Sequence, residues 1–186
     1  MFRIYTCLTT EHDLRLVVVA GIICFLASLV AISLFRRARE TGGSTRVTWI
    51  VTAALATGCG IWATHFIAML AYDPGVGIAY NIPLTIFSLM AAATVTGLGL
   101  AVAVYFPERS STAVAGAIVG GGVACMHYLG MAAVELPGHV TWDLPLVSAS
   151  IVIGMLFGMG AMLVARRRMR RAAAATRTVT TSRPPC

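Results

Sequence analysis

Five apolar runs, each about 20 residues or longer, lie near 14–35, 47–72, 82–106, 113–134 and 144–165. At 1.5 Å of helix rise per residue, each can cross a hydrocarbon layer roughly 30 Å thick. None carries Asp, Glu or Lys in its middle, and the only arginine within the five, Arg15, stands at the start of the first. The composition argues against a water-soluble domain. Of the 186 residues, 58% are hydrophobic and 11% charged, and the mean hydropathy is +0.84, too little polar material for a hydrated shell. Backbone groups in lipid must be bonded internally, which selects helices, whereas membrane strands would be shorter and would alternate. The expected fold is an all-α membrane protein: a five-helix transmembrane bundle within 1–165, then a basic tail, 166–186, without fixed structure.

Arginine placement predicts orientation. The first and third connections, with Arg36, Arg37, Arg39, Arg46 and Arg109, and the tail together hold 12 of the 14 arginines. Five of the seven acids, Asp73, Glu135 and Asp143 among them, fall on the other side. That pattern puts the N-terminus outside and the C-terminus inside, as in a multi-pass membrane protein. The first helix is preceded by Glu11, His12 and Asp13 and followed by its basic cluster, the reverse of a signal peptide, and reads as a retained span. Cys7, Cys24, Cys59, Cys125 and Cys186 show no CxxC or zinc spacing and read as small apolar residues.

The chain repeats itself at about 62 residues. "ATHFIAMLA" (63–71) is followed by "CMHYLGMAA" (125–133), so that His65 meets His127, Phe66 meets Tyr128 and Met69 meets Met131. Gly58 and Gly60 meet Gly120 and Gly122, and "YNIPL" from Tyr80 meets "WDLPL" from Trp142. The first helix opens on a similar "HDLRL" at His12. Such periodicity signals architecture before chemistry. Each full unit is an inward helix, a basic loop, an outward helix with the histidine motif and an outer connection. Asp13, Asn81 and Asp143, each just before an inward helix, read as N-caps; Trp62, Trp142 and Tyr72 read as packing or interface aromatics.

Both histidines lie eight residues before an acid, Asp73 or Glu135. Eight residues rise about 12 Å, which places both imidazoles a few ångströms to the outer side of the bilayer centre. Residues four apart share a helix face, so His65 points with Met69 and His127 with Met131. An ionisable group at this depth faces the bundle interior and is a functional hypothesis by default. Thioether is a soft ligand for Cu(I), and imidazole suits copper in either oxidation state. Zinc favours thiolate or carboxylate with imidazole, and magnesium and calcium need oxygen ligands that are scarce here. The candidate metal ligands are therefore His65, Met69, Met126, His127 and Met131, with copper the best match among common ions. Tyr128 reads as a packed aromatic or as an orienting hydroxyl.

With "CMHYLGMAA", "THFIAMLA", "AYDPG" and "WDLPL" in place, the chain resembles the MHYT domain, a bacterial integral-membrane sensory family named for its Met-His-Tyr-Thr motif. The resemblance runs from about His12 to Ala165. It implies functional roles for Met126, His127 and Tyr128, for His65 with Phe66 at the tyrosine position, and for Met69 and Met131. It also implies a site near the outer face that binds copper and senses O2, CO or NO, and a cytoplasmic signalling output. The chain departs from the family pattern at Thr64, Phe66 and Leu129, and a third motif on a sixth helix is expected to be missing.

Three functions follow as expectations. The first is a sensory module with copper between the second and fourth helices, responding to a diatomic gas or to redox state through a cytoplasmic partner or a homo-oligomer. The second is a b-type haem protein with His65 and His127 as axial ligands. The third is a small metal-ion transporter. Without a P-loop, a nucleophile elbow or an intramembrane carboxylate pair, no enzymatic activity of its own is expected. The bilayer is the expected partner, and no nucleic acid is.

Overall fold

The computed structural model describes residues 12–72, 77–136 and 141–181. Cys7, Glu11, Asp73, Cys186 and the end of the tail lie outside them. The described residues form five helices: α1 (Leu14–Glu40), α2 (Gly43–Leu70), α3 (Ile82–Tyr105), α4 (Arg109–Ala132) and α5 (Leu144–Thr181). All five are long and apolar enough to span a membrane.

Local sequence sets the ends. Asp13 accepts from the Arg15 N–H, Asn81 from the Leu84 N–H and Asp143 from the Leu146 N–H, so three helices start on the same side-chain cap. α1 and α2 are joined by a tight reversal through Thr41, Gly42 and Gly43. The φ of +57° at Gly43 is the left-handed conformation that glycine adopts without steric cost. Arg46 Nε closes this turn on the Thr41 carbonyl at 2.8 Å.

The helices run past the apolar stretches at their arginine ends. α1 continues through Arg36, Arg37 and Arg39, and α5 continues beyond Ala165 to Thr181. Arginine and alanine are strong helix formers, and the tail holds both, including the alanines from Ala172 onward. Over 166–181 the sequence reading of an unstructured tail therefore gives way to helix. At 38 residues, α5 is about 57 Å long by helix rise and projects well past one membrane thickness.

Packing follows chain order, each helix lying chiefly against the next. Small residues let backbones approach. Gly116 and Gly120 of α4 lie against Gly158 and Gly154 of α5, and a Cβ on either α4 glycine would collide with the α5 backbone. At the arginine end, Phe35, Ala38, Ile50, Ala53, Leu100, Ala103, Val104 and Ala115 form the buried core, with Met162 and Met169 packed against it. The buried hydroxyls of Ser88, Thr96 and Thr112 each donate to a backbone carbonyl three or four residues earlier, so none of the three is left unpaired. Large apolar side chains such as Phe25, Phe87 and Phe157 face outward, as a lipid-embedded surface requires.

The opposite end shows the repeat as structure. The Asp13 N–H donates to the Ala71 carbonyl and the Asn81 N–H to the Ala133 carbonyl, each at 2.8 Å. His12 bridges Tyr72, and strand β1 (Ala79–Tyr80) pairs antiparallel with β2 (Val134–Glu135). In each unit the segment entering an odd-numbered helix is thus tied to the end of the following even-numbered helix. These ties hold the ends of α2 and α4, the two helices that carry the histidine motifs.

Candidate functional site, a histidine pair on a lateral cavity

α2 and α4 barely touch along their length. They meet through their histidines: His65 Nδ1 lies 3.4 Å from His127 Nδ1, with ring centres 5.0 Å apart and planes at 80°. The pair borders a cavity of about 390 Å³ between α1, α2 and α4. Cys24 and Ser28 of α1, Thr57 of α2 and Met126 of α4 also line it. The lining repeats as the sequence does: Ile61, Thr64 and His65 on α2 match Val123, Met126 and His127 on α4. His127 is exposed at the flank of the bundle, His65 is half-buried, and Met126 is only 2% exposed.

Gly130 sets the orientation of the pair. A Cβ there would lie 2.7 Å from His65 Nε2 and 3.0 Å from its Cδ2. The bare backbone gives the His65 ring room beside α4. Nε2 is buried there without a partner, while Nδ1 is directed at His127. Thr57 Oγ1 is likewise buried without a partner, unlike Thr64 and Ser28, whose hydroxyls donate to the Gly60 and Cys24 carbonyls.

The aromatic neighbours of the two histidines differ. Phe66 is buried edge-on to His65 and in contact with Trp62 and Tyr80. Burial pushes the Tyr80 phenol above its ordinary range, so it stays protonated. Tyr128, edge-on to His127, reaches α5 instead: its oxygen lies 2.5 Å from Ser150 Oγ, and its ring meets Trp142 at 5.5 Å. Ser150 donates its proton to the Val147 carbonyl, so Tyr128 is the donor in that pair.

Of the five candidate ligands, His65, His127 and Met126 line one cavity. Met69 and Met131 are half-buried and are not among its lining residues. The cavity extends from the histidines toward the N-terminal parts of α2 and α4, past positions one and four residues earlier, whereas these methionines lie four residues later, toward the bundle end. Cys24, read from sequence as filler, lies on the same cavity, and no motif marks it. His12 stacks on Tyr72 at the bundle end, outside the lining. Among the described residues no three His, Cys, Asp or Glu side chains are grouped as a metal site, so an ion here would depend on the histidine pair with thioether.

Two adjacent segments, 58–117 and 120–177, match the family profile MHYT, described as "Bacterial signalling protein N terminal repeat". They begin at Gly58 and Gly120, the offset that also separates His65 from His127. The chain belongs to the MHYT family. An uncharacterized signaling protein of Caulobacter vibrioides is 39% identical over 175 residues, covering 93% of this chain and 22% of that protein. The bifunctional diguanylate cyclase/cyclic di-GMP phosphodiesterase MucR of Pseudomonas aeruginosa is 30% identical, covering 86% of this chain and 24% of its own length. The cyclic di-GMP phosphodiesterase NbdA of the same organism is 31% identical, covering 81% and 19%. This MHYT domain thus spans about a quarter or less of the relatives it matches. No solved structure matches it. It is a multi-pass membrane protein whose family is a signalling one, and the relatives support a sensory role.

Proposed function

We propose that this MHYT domain is the membrane-embedded sensor of an inner-membrane signalling protein, with its arginine end in the cytoplasm, and that His65 and His127 together hold one copper ion. The 3.4 Å between their Nδ1 atoms carries this reading. Two nitrogens about 2.0–2.1 Å from one ion, at a near-tetrahedral angle, lie about 3.3–3.4 Å apart. Met126 borders the same cavity with a soft sulfur, and no carboxylate does. Met69 and Met131, one turn from each histidine, are the further thioethers to test. The short separation favours a single small ion over a macrocycle between two axial imidazoles, and no second ligand cluster among the described residues suggests a transport path.

Bound copper would supply a coordination position, or a change of preferred ligation with oxidation state, to which O2, CO or NO could couple. The protein's own parts do the rest. Apolar walls keep water scarce, and the cavity's lateral opening admits small apolar molecules dissolved in lipid. Gly130 fixes which nitrogen His65 presents, and Tyr128, the residue after His127, links α4 to α5, the helix that leaves the membrane. By analogy with MucR and NbdA, the output in a longer protein or a cytoplasmic partner would be cyclic di-GMP turnover, with this domain itself non-catalytic. The test is metal analysis with a visible spectrum of protein purified in nanodiscs. Copper near one ion per chain without a Soret band supports the reading, a Soret band supports haem, and copper unchanged by His65→Ala and His127→Ala overturns the site.

A further inference from the structure

The cavity beside the histidine pair is larger than an ion and a diatomic gas require. Its volume is about 390 Å³. Pockets for drug-sized ligands run from about 300 to 1,000 Å³, whereas a molecule as small as water takes about 30 Å³. On α2 the lining residues Thr57, Gly60, Ile61, Thr64 and His65 make one helix face, about 12 Å long by rise. Across from them α1 offers Ala27 and Ala31, side chains too small to fill the space. The cavity opens at the flank of the bundle, where Cys24 and Ser28 of α1 and Val123 and His127 of α4 are exposed. α1 packs chiefly on α2, and α4 chiefly on α3 and α5, which leaves that side open. Cys24 and Ser28 stand in the middle of the first apolar run, so the opening faces acyl chains.

The polar groups of the cavity sit at its two ends. Thr57 Oγ1 is buried without a partner, whereas Thr48, Thr52 and Thr64 of the same helix each donate to a carbonyl four residues earlier. A helical threonine has two χ1 wells, so the Thr57 hydroxyl is able to turn to an acceptor in the cavity it lines. At the other end, one Nδ1 of the histidine pair donates to the other. His65 Nε2 is buried without a partner, and an orphaned N–H is rarer than an under-used acceptor. The proton of His65 therefore sits on Nδ1 and that of His127 on Nε2, where it has no partner among the described residues. Among the described residues no Arg, Asp or Glu lines the cavity, which selects a neutral occupant. Thr57 precedes His65 by eight residues, about 12 Å of rise. A para-quinone holds its two carbonyl oxygens about 5 Å apart, and a hydrogen bond of about 2.8 Å at each end spans about 11 Å. A fatty acid would bury a carboxylate without a counter-charge, and a sterol has one polar end for two donors.

We propose that this cavity binds the headgroup of a lipid-soluble para-quinone, one carbonyl accepting from Thr57 and the other from His127, with the tail leaving through the lateral opening into the bilayer. The site shares His127 with the copper reading but does not rest on a bound ion, since an ion between the Nδ1 atoms leaves the Nε2 proton in place. The test is a titration of the full chain in nanodiscs with decylubiquinone, with and without copper, corrected for partition into empty nanodiscs of the same lipid. Saturable binding near one molecule per chain is expected. Thr57→Val should weaken it about tenfold, the worth of one good hydrogen bond, and keep wild-type copper content. Thr52→Val, at an exposed position of the same helix whose hydroxyl bonds its own backbone, should change nothing. Ser28→Phe, at an exposed position on the rim, should block the mouth and abolish binding; circular dichroism verifies equal helicity in all variants. Decylbenzene, which has the same tail and no carbonyl, should not compete. Absence of saturable binding, equal competition by decylbenzene, or a Thr57→Val protein that matches Thr52→Val would overturn the proposal, and retained copper in the same samples distinguishes that failure from failure of the copper site.

Discussion

The two histidine motifs occupy equivalent positions in the repeat, yet their surroundings differ. On α2, His65 is half-buried, and the residue after it, Phe66, is closed within an aromatic group with Trp62 and Tyr80. On α4, His127 is exposed at the cavity flank, and the residue after it, Tyr128, donates a hydrogen bond to another helix. One copy of the motif is a fixed wall. The other has a polar handle on the helix that leaves the membrane. The repeat brings two imidazoles together, and the two copies differ at the following residue, which in one is enclosed and in the other reaches α5.

The largest expected effect tests whether the two motifs act as one site. If a single ion is shared, His65→Ala and His127→Ala each lower bound copper by more than about tenfold, since even outer-shell partners of metal ligands are worth that much. Elemental analysis of protein in nanodiscs reads this out. A large loss in one variant with none in the other would break the symmetry and place the ion on one motif alone.

The next test exchanges the neighbouring residue. The para carbon of Phe66 points toward Gly130, lying 3.5 Å from where a Cβ on that residue would be. Phe66→Tyr would press a hydroxyl against the α4 backbone in a buried place, at a cost of about 1–3 kcal/mol. Denaturant titration in mild detergent measures it. A neutral result would mean that the wall around His65 is looser than its burial indicates.

Much of this architecture is legible in sequence because membrane spans carry strong signals: long apolar runs, charges gathered at one end and capping residues at the other. The convergence of His65 and His127 follows from a repeat that sets depth and direction together. The positions of Met69 and Met131 are less legible. The rule that residues four apart share a face is right, but it cannot say whether a cavity lies before or after the histidine along the helix. Here it lies before, on the side of Thr64 and Met126, and it draws Cys24 from α1. Gly130 could not be recognised at all, because its role depends on a ring from a helix 65 residues earlier. In the tail, net charge suggested disorder while alanine and arginine propensity favoured helix.

Gly130 sharpens the comparison because its counterpart in the first motif is Ala68, an exposed position. Removing a helix-interior glycine gains about 1 kcal/mol of propensity, and adding one loses as much. Gly130→Ala should therefore change stability little, the gain offsetting the displaced ring, while it weakens copper binding by turning His65 Nδ1 away from His127. Ala68→Gly should do the reverse, costing about 1 kcal/mol and leaving copper intact. Nitrogen-15 spectra of the imidazoles in the metal-free protein separate ring displacement from general loosening. An unperturbed His65 signal in Gly130→Ala would remove the glycine from the site.

The last test, Tyr128→Phe, carries only a small cost in stability. Ser150 keeps its bond to the Val147 carbonyl, so the substitution removes one hydrogen bond between helices, worth about 0.6 kcal/mol in membrane proteins. Copper content should be unchanged, because the ring still packs on His127 and no ligand is lost. The expected consequence is mechanical. With the link between α4 and α5 gone, a redox change at the histidine pair should move the end of α5 less. Spin labels on α2 and on the projecting part of α5 measure that distance in the oxidised and reduced protein. If the shift persists undiminished in Tyr128→Phe, the packing between α4 and α5, the Gly116–Gly158 and Gly120–Gly154 contacts included, suffices to couple the two helices, and the hydroxyl of the second motif carries no signal.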